Sequence, residues 1–157
     1  TGVQTCALPI SMKLTNKSEY ALLALSALAR NYGKGLISGD RLSAEQGVPK
    51  GFLQQILFAL KRAGYVRSVK GQEGGYELSK DPSSITVAEI VRFFEGPLAP
   101  TTSVSKNFYE PSPIERERGL MALFTQIRNE VAAILESTTL AEVSGLGARS
   151  VGRRKRS

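Results

Sequence analysis

The chain has 157 residues and a formal net charge of +7, and its composition excludes several kinds of functional site. With 0 His and 1 Cys, a single chain cannot form a Cys/His zinc site, a Ser-His-Asp triad, an all-cysteine iron–sulfur site or a disulfide framework. Hydrophobic residues make up 41% and charged residues 22%, as in an ordinary globular protein with a buried core. We therefore expect one domain, or a small domain with an appended helix.

The N-terminal residues 1–11 differ in character from the rest of the chain. They contain Cys6, precede Met12, and lack the positive start and long apolar stretch of a signal peptide. We interpret this segment as an artefact of cloning or of sequence assembly. The longest apolar run, 20–29, is far shorter than the roughly 18 residues that span a bilayer. We expect a cytoplasmic protein with no membrane partner.

The first two predicted helices come with start and stop signals. Asn16 and Glu19 form a capping-box pattern ahead of apolar residues at helical spacing, which predicts a helix over 17–32 that ends before Gly33. A second, shorter helix follows over 39–46, and a glycine closes it.

The third helix and the segment after it complete a recognisable motif. Val48 and Pro49 start this helix, which ends at Gly64 and carries an apolar stripe. The stripe consists of Leu53, Ile56, Leu57 and Leu60. Two β-prone segments, 65–69 and 76–79, flank a glycine-rich stretch and predict a hairpin. Three helices, a short turn between the last two, and a hairpin indicate a winged helix-turn-helix over 12–95.

A fourth helix and a long loop follow. Thr86 and Glu89 form a second capping-box pattern, and the helix they begin extends to Phe94. Residues 96–112 are rich in Pro, Ser and Thr, which is typical of a loop.

The second half of the chain predicts one long helix with a single apolar seam. Ser112 caps a helix over 113–136, and Thr139 caps a last short helix, so that 113–143 forms one helical unit. The seam follows a heptad spacing through Leu120, Phe124, Ile127, Val131 and Ile134. On a domain that is complete without it, such a helix suggests packing against a second copy of the chain. The basic segment 144–157 should be a disordered tail.

The outer face of the third helix is chemically suited to DNA. Between positions 49 and 70 there are five Lys and Arg residues and no acid. Glutamine can make a bidentate contact with adenine, and lysine can reach guanine or phosphate. We expect base contacts from Lys50, Gly51, Gln54 and Gln55. The alternative is a solvated helix face with no such role.

Nothing in the sequence supports catalysis or nucleotide binding. The glycines of the hairpin do not form a dinucleotide-binding or P-loop motif. Glu115 and Glu117 alternate with Arg116 and Arg118, which is explained by ion pairs on a helix surface. We expect a protein with no catalytic residues and no metal ligands.

Five separated blocks resemble one family of bacterial winged-helix transcription regulators, the Rrf-two family typified by IscR, NsrR and CymR. The blocks are MKLTNKSEYA at 12–21, GFLQQIL at 51–57, KGQEGGYEL at 70–78, ITVAEI at 85–90 and TLAEV at 139–143. The resemblance implies a homodimeric regulator, usually a repressor, that binds a palindromic operator with one recognition helix per half-site. In this family the long penultimate helix is the dimerisation element.

The chain departs from the family pattern in three places. Gln54 stands where relatives often have Glu, and Lys70 where they often have Arg, so a family operator sequence cannot be transferred. Cluster-binding members also place three cysteines in the loop before the dimerisation helix, whereas residues 97–112 contain none. We therefore expect no cluster and no other cofactor, and a response to an unidentified effector protein or small molecule.

The resulting hypothesis is a homodimeric, sequence-specific regulator of double-stranded DNA. The expected phosphate contacts are Lys13, Thr15, Tyr20, Lys61, Arg62 and Arg67. The expected wing contacts with the minor groove are Lys70, Gly71, Gly74 and Gly75, although Gly74 and Gly75 could serve only the turn. The alternative hypothesis is a winged-helix protein-interaction module whose basic face binds an acidic partner.

Overall fold

The computed structural model describes residues 14–106 and 109–146. The helices of this part of the chain are α1 (Asn16–Arg30), α2 (Gly39–Gln46), α3 (Lys50–Arg62), α4 (Val87–Glu95), α5 (Arg118–Ser137) and α6 (Leu140–Val143). The strands β1 (Val66–Val69) and β2 (Gly75–Leu78) pair in antiparallel orientation. The predicted fold class, a mainly α winged helix-turn-helix followed by a long helix, is confirmed.

The start of α1 is capped by a distant carboxylate rather than by the predicted local pair. Thr15, not Asn16, is the N-cap residue, and its own side chain makes no capping bond. Its backbone N–H and its hydroxyl each donate to Glu95 Oε1 at 2.7 Å, and the Ser18 hydroxyl donates to the same oxygen. Partial burial opposes ionisation of Glu95, but the bonds from Ser18 and Thr15 hold its pKa below the ordinary value. The acceptor lies in α4, so local spacing could not reveal it.

The helix-turn-helix itself follows the predicted pattern closely. Gly47 closes α2 in the left-handed conformation with φ 64°, which suits glycine because it has no Cβ. Pro49 is the N-cap of α3, so this helix begins at Lys50, slightly later than predicted. The predicted apolar stripe of α3 is buried in the core against α1 and α2.

The hairpin is anchored to the helices by a third extended segment. Ile37 forms a bridge with Tyr76, with N–H···O distances of 2.9 Å and 2.8 Å between their backbones. Gly75 is buried at this crossing, and a Cβ there would lie 2.5 Å from the Ile37 carbonyl oxygen. This glycine therefore allows the close approach of two backbones, a role that the hairpin pattern alone does not show.

The last helix belongs to the core of the winged domain. The capping box of Thr86 and Glu89 at α4 is present as predicted. At the start of α4, the backbone N–H of Val87 donates to the Thr138 carbonyl at 2.8 Å, and that of Leu140 donates to the Ile85 carbonyl at 2.9 Å. Leu140 is fully buried. A winged domain bounded at residue 95 therefore leaves out Leu140, which returns after α5 to fill its core.

The long helix is shorter than predicted, because its start is interrupted. Ser112 forms the expected cap, but it caps a 3₁₀ turn over Pro113–Arg116. Glu117 then adopts an extended conformation, and α5 begins at Arg118. A capping box satisfies only the first turn, and Gly119 favours helix poorly, so the cap did not ensure one continuous helix.

No described side chain of α5 is fully buried. Within the predicted seam, Leu120 is 44% exposed and Ile134 is 62% exposed, whereas Phe124, Ile127 and Val131 are half-buried. In the part of the chain that the structure describes, no helix is both long enough and apolar enough to cross a bilayer.

Several predictions fall outside the described residues. These are the interpretation of residues 1–11, the phosphate contact of Lys13 and the disorder of 147–157. The predicted tail begins too early, because Ser144 is buried and its hydroxyl donates to the Leu140 carbonyl.

Candidate nucleic-acid interface

The outer face of α3 presents the side chains that were predicted to read DNA. Opposite the buried stripe, the exposed residues are Lys50, Gly51, Phe52, Gln54, Gln55, Phe58, Lys61 and Arg62. The side chains of Gln54 and Gln55 are therefore exposed to solvent. A Cβ added at Gly51 would have no atom within 4 Å, so the surface there is open. This leaves room for close approach of another backbone at the start of the helix.

One exposed aromatic residue extends this face beyond the predicted set. Phe58 is 61% exposed, and the Arg62 guanidinium lies 5.8 Å from the centre of its ring. An apolar side chain on a recognition helix can contact a thymine methyl group. Its position one helical turn after Gln54 was the available signal in the sequence.

The electropositive character of α3 is weaker than the residue count indicates. Lys50 Nζ lies 2.5 Å from Asp40 Oδ1, so an acid from the first turn of α2 meets the start of α3. Both side chains are well exposed, at 60% and 73%. Surface pairs of this kind contribute only about 0–1 kcal/mol, so Lys50 can exchange Asp40 for another anion at low cost.

The wing and α3 are connected through polar side chains. Arg67 of β1 is paired with Glu77, its cross-strand neighbour on β2. Lys61 of α3 donates to the Ser68 hydroxyl at 2.7 Å. The Lys61 contact links the wing to α3, and the ammonium group of Lys61 retains two further donors.

The predicted wing residues fall into two groups. Lys70 and Gly71 are exposed at the tip, and Gly71 has φ 115°, which requires glycine. Gly74 and Gly75 pack against backbone atoms, with a Cβ at Gly74 placed only 2.2 Å from the Val69 carbonyl oxygen. We therefore assign Gly74 and Gly75 to the turn rather than to a DNA surface.

Two of the predicted phosphate contacts already have partners within the chain. Both donors of Thr15, its backbone N–H and its hydroxyl, are directed at the Glu95 carboxylate. Tyr20 is half-buried and packs edge-on against Phe52, with ring centroids 5.5 Å apart. Thr15 is therefore a poor phosphate ligand, and the Tyr20 ring supports the exposed side of α3.

A sequence model of the Rrf2 family, described as iron-dependent transcriptional regulators, matches residues 14–145. The chain belongs to the Rrf2 family. Among its relatives, CymR of Bacillus subtilis is 32% identical over 133 residues, which are 85% of this chain and 90% of that protein. IscR of Cereibacter sphaeroides is 41% identical over 86 residues, 54% of this chain and 56% of that protein.

Solved structures agree with this Rrf2 assignment. The structure of CymR, the global cysteine regulator of B. subtilis, has a TM-score of 0.69 at 31% identity and covers 86% of this chain and 98% of that one. The structure of Staphylococcus aureus CymR has a TM-score of 0.67 at 30% identity and covers 83% of this chain and 96% of that one. This Rrf2 protein is thus a DNA-binding transcription regulator and not an enzyme.

The iron dependence in the family description does not fit the donor groups of this Rrf2 protein. The loop 97–112 contains no cysteine, and iron–sulfur clusters need thiolate ligands. Within residues 14–106 and 109–146, no three His, Cys, Asp or Glu side chains are grouped in a way that could hold a metal ion. The loop contributes Lys106 instead, Arg128 of α5 lies beside it, and cationic side chains do not ligate iron.

Proposed function

We propose that this protein is a homodimeric, sequence-specific repressor that binds a palindromic operator without an iron–sulfur cluster. It acts in the bacterial cytoplasm, where such an operator lies. The observation that carries this proposal is the outer face of α3, which combines exposed amides and cations beside an exposed basic wing tip.

The roles of the residues on α3 follow from their chemistry. Gln54 and Gln55 read base edges in the major groove, and Lys50 joins them after leaving Asp40. Gly51 lets the start of α3 lie close to the DNA.

Residues beside α3 hold the DNA backbone and the minor groove. Lys61, Arg62 and Arg67 contact phosphates, and Lys70 with Gly71 enters the minor groove.

The dimer is supported by the state of α5. An amphipathic helix in a single chain normally buries its apolar stripe, yet Leu120 and Ile134 of the seam, and Leu123 next to it, are all more than two-fifths exposed. Packing of α5 against the same helix of a second copy would cover this seam. A twofold dimer then presents two copies of α3, which matches a palindromic site.

Selection of bound duplexes from a random-sequence library tests sequence-specific recognition. A palindromic consensus, and a steep fall in affinity with salt, are expected for the selected duplex. Replacement of Gln54 or Gln55 by Ala should weaken binding by about 1–3 kcal/mol if its amide makes a bidentate contact. Gln126→Ala, an exposed glutamine on α5, is the matched control and should have no effect. Equal affinity for selected and random DNA would favour the protein-interaction module instead.

Sedimentation equilibrium tests the dimer. Ile134→Asp places a charge in the seam and should convert a dimer into a monomer, whereas Gln126→Asp on another side of α5 should leave the dimer intact. A wild-type protein that sediments as a monomer contradicts the dimer.

Transcription from a promoter that contains the selected site tests repression. It should fall when the protein is added, and a rise would contradict repression.

A further inference from the structure

A cavity lies between the long helix and the winged domain, beside the contact of α4 with α5. It lies between the C-terminal part of α4, the loop that follows it and α5, and its volume is about 270 Å³. Ligand pockets for drug-sized molecules begin at roughly 300 Å³, so this volume suits a small metabolite. The cavity therefore lies between α4, which belongs to the winged domain, and α5, which we assign to dimerisation.

Basic side chains dominate the charged groups around this cavity. Arg92 enters from α4, Lys106 from the loop and Arg128 from α5, and Glu136 is the acid among the lining residues. The formal charge of these four groups is +2. The small side chains Ala132 and Ala133 of α5 leave the space between them open.

Two of the three cations are held in defined positions. The Arg92 guanidinium donates to Glu136, and this bond lowers the pKa of the Glu136 carboxyl. Arg128 donates from Nη1 to the Val104 carbonyl, and from Nε and Nη2 to Asn129 Oδ1 at 3.1 Å and 2.6 Å. A guanidinium has five N–H groups, so donors remain for a ligand while the side chain is fixed in advance.

We propose that this cavity binds a small organic dianion and thereby regulates DNA binding. One carboxylate or phosphate group contacts Arg128 and Lys106, and the second competes with Glu136 for Arg92, while the carbon chain lies against Ala132 and Ala133. Guanidinium groups match the geometry of both kinds of anion.

The regulatory part of this inference rests on the proposed function. Arg92 and Glu136 join α4 directly to α5, so a ligand that takes Arg92 from Glu136 changes the coupling between the two helices. The two copies of α3 in a dimer would then change their separation, to which half-site binding is sensitive.

Isothermal titration calorimetry at constant ionic strength tests the ligand class. The probes are the dicarboxylates succinate and malate at up to ~10 mM, a range that covers millimolar affinity. At least one should bind, and succinamide, the uncharged counterpart of succinate, should not. No binding of either dicarboxylate, or equal binding of succinate and succinamide, overturns the inference.

Substitutions locate the binding site. Arg128→Gln and Lys106→Gln should each lower the affinity for the anion about tenfold, the loss expected for one charge-assisted hydrogen bond. Arg128 also holds the Val104 carbonyl, so the exposed Lys106 supplies an independent variant. Lys34→Gln, an exposed lysine in the loop after α1, is the control and should bind as the wild type does. Unchanged affinity in both cavity variants would contradict this site.

Affinity for the selected duplex is then measured with and without the bound anion. A change that Lys106→Gln abolishes supports regulation, and an unchanged affinity contradicts it. A protein that binds the anion but shows no sequence preference contradicts only the proposed function. A protein that binds the duplex but no anion contradicts only this inference.

Discussion

Replacement of Asp40 by Asn should strengthen DNA binding, because it frees Lys50 at the start of the recognition helix. Asp40 Oδ1 and Lys50 Nζ are 2.5 Å apart, and the carboxylate also places a negative charge where DNA phosphates must approach. In Asp40→Asn the amide keeps the size of the side chain but removes its charge. Lys50 then reaches the DNA without first breaking an ion pair.

The magnitude follows from the exposure of the pair. With side chains 60% and 73% exposed, solvent screens the attraction, and such pairs are worth about 0.2–1 kcal/mol. Freeing Lys50 should therefore tighten the dissociation constant by up to about fivefold. The slope of log K against log salt should steepen by at most ~0.9, the value for one neutralised phosphate, because one negative charge is removed beside the DNA.

Fluorescence anisotropy with the selected duplex over a salt series measures both quantities. Glu45→Gln is the control, because Glu45 pairs with Arg41 within α2 and should leave DNA affinity unchanged. Asp40 also lies in the first turn of α2, where its loss should cost ~0.3–1 kcal/mol of folding stability. If Asp40→Asn binds DNA more tightly although it is less stable, the gain in affinity comes from the freed Lys50 and not from a more stable fold. Weaker binding by Asp40→Asn refutes the assignment of Lys50 to the DNA surface.

Four further substitutions test how the domain is built, each by urea denaturation at fixed protein concentration. Leu140→Ala should cost about 2–5 kcal/mol because this side chain is fully buried, whereas Val143→Ala on the same helix, 44% exposed, should cost little; similar costs would show that α6 is not part of the core. Gly75→Ala should cost about 1–3 kcal/mol because its Cβ meets the Ile37 backbone, and a neutral effect would contradict that packing. Gly51→Ala, with open space around it in the first turn of α3, should instead stabilise the protein by up to about 0.5 kcal/mol, less than in a helix interior, and a loss of stability would contradict the open space. The pKa of Glu95 in the folded protein is lowered from 4.5, so the ionised carboxylate stabilises the fold above pH 4.5 and this effect is lost as the pH falls through the folded-state pKa. The difference in unfolding free energy between wild type and Glu95→Gln should therefore shrink below pH 4.5. A difference that does not depend on pH would exclude the charge as its cause.

Local signals in the sequence predicted most of the helices well. Gly47 must close α2 because of its left-handed backbone, and the spacing of apolar residues identified the buried stripe of α3. The pair Thr86 and Glu89 identified the start of α4, because both partners of this capping box lie within one helical turn. Where two partners are close in the chain, spacing alone carries the information.

Predictions failed where the deciding contact spans the chain. The cap of α1 comes from Glu95, and the core of the winged domain includes Leu140. The same limit applies to the candidate interface, where counting charges between positions 49 and 70 missed Asp40 and Glu77. These acids come from α2 and β2, which folding places beside Lys50 and Arg67.

The sequence by itself determined the winged helix-turn-helix, the exposed face of α3 and the absence of cysteine from the loop 97–112, because periodicity, turn residues and composition are local or countable properties. Only the tertiary structure decided which of the cations on that face are paired and which glycines are packed against backbone. It also placed three basic side chains around one cavity between α4 and α5. Interaction energies depend on distance in space, and folding sets those distances independently of separation along the chain.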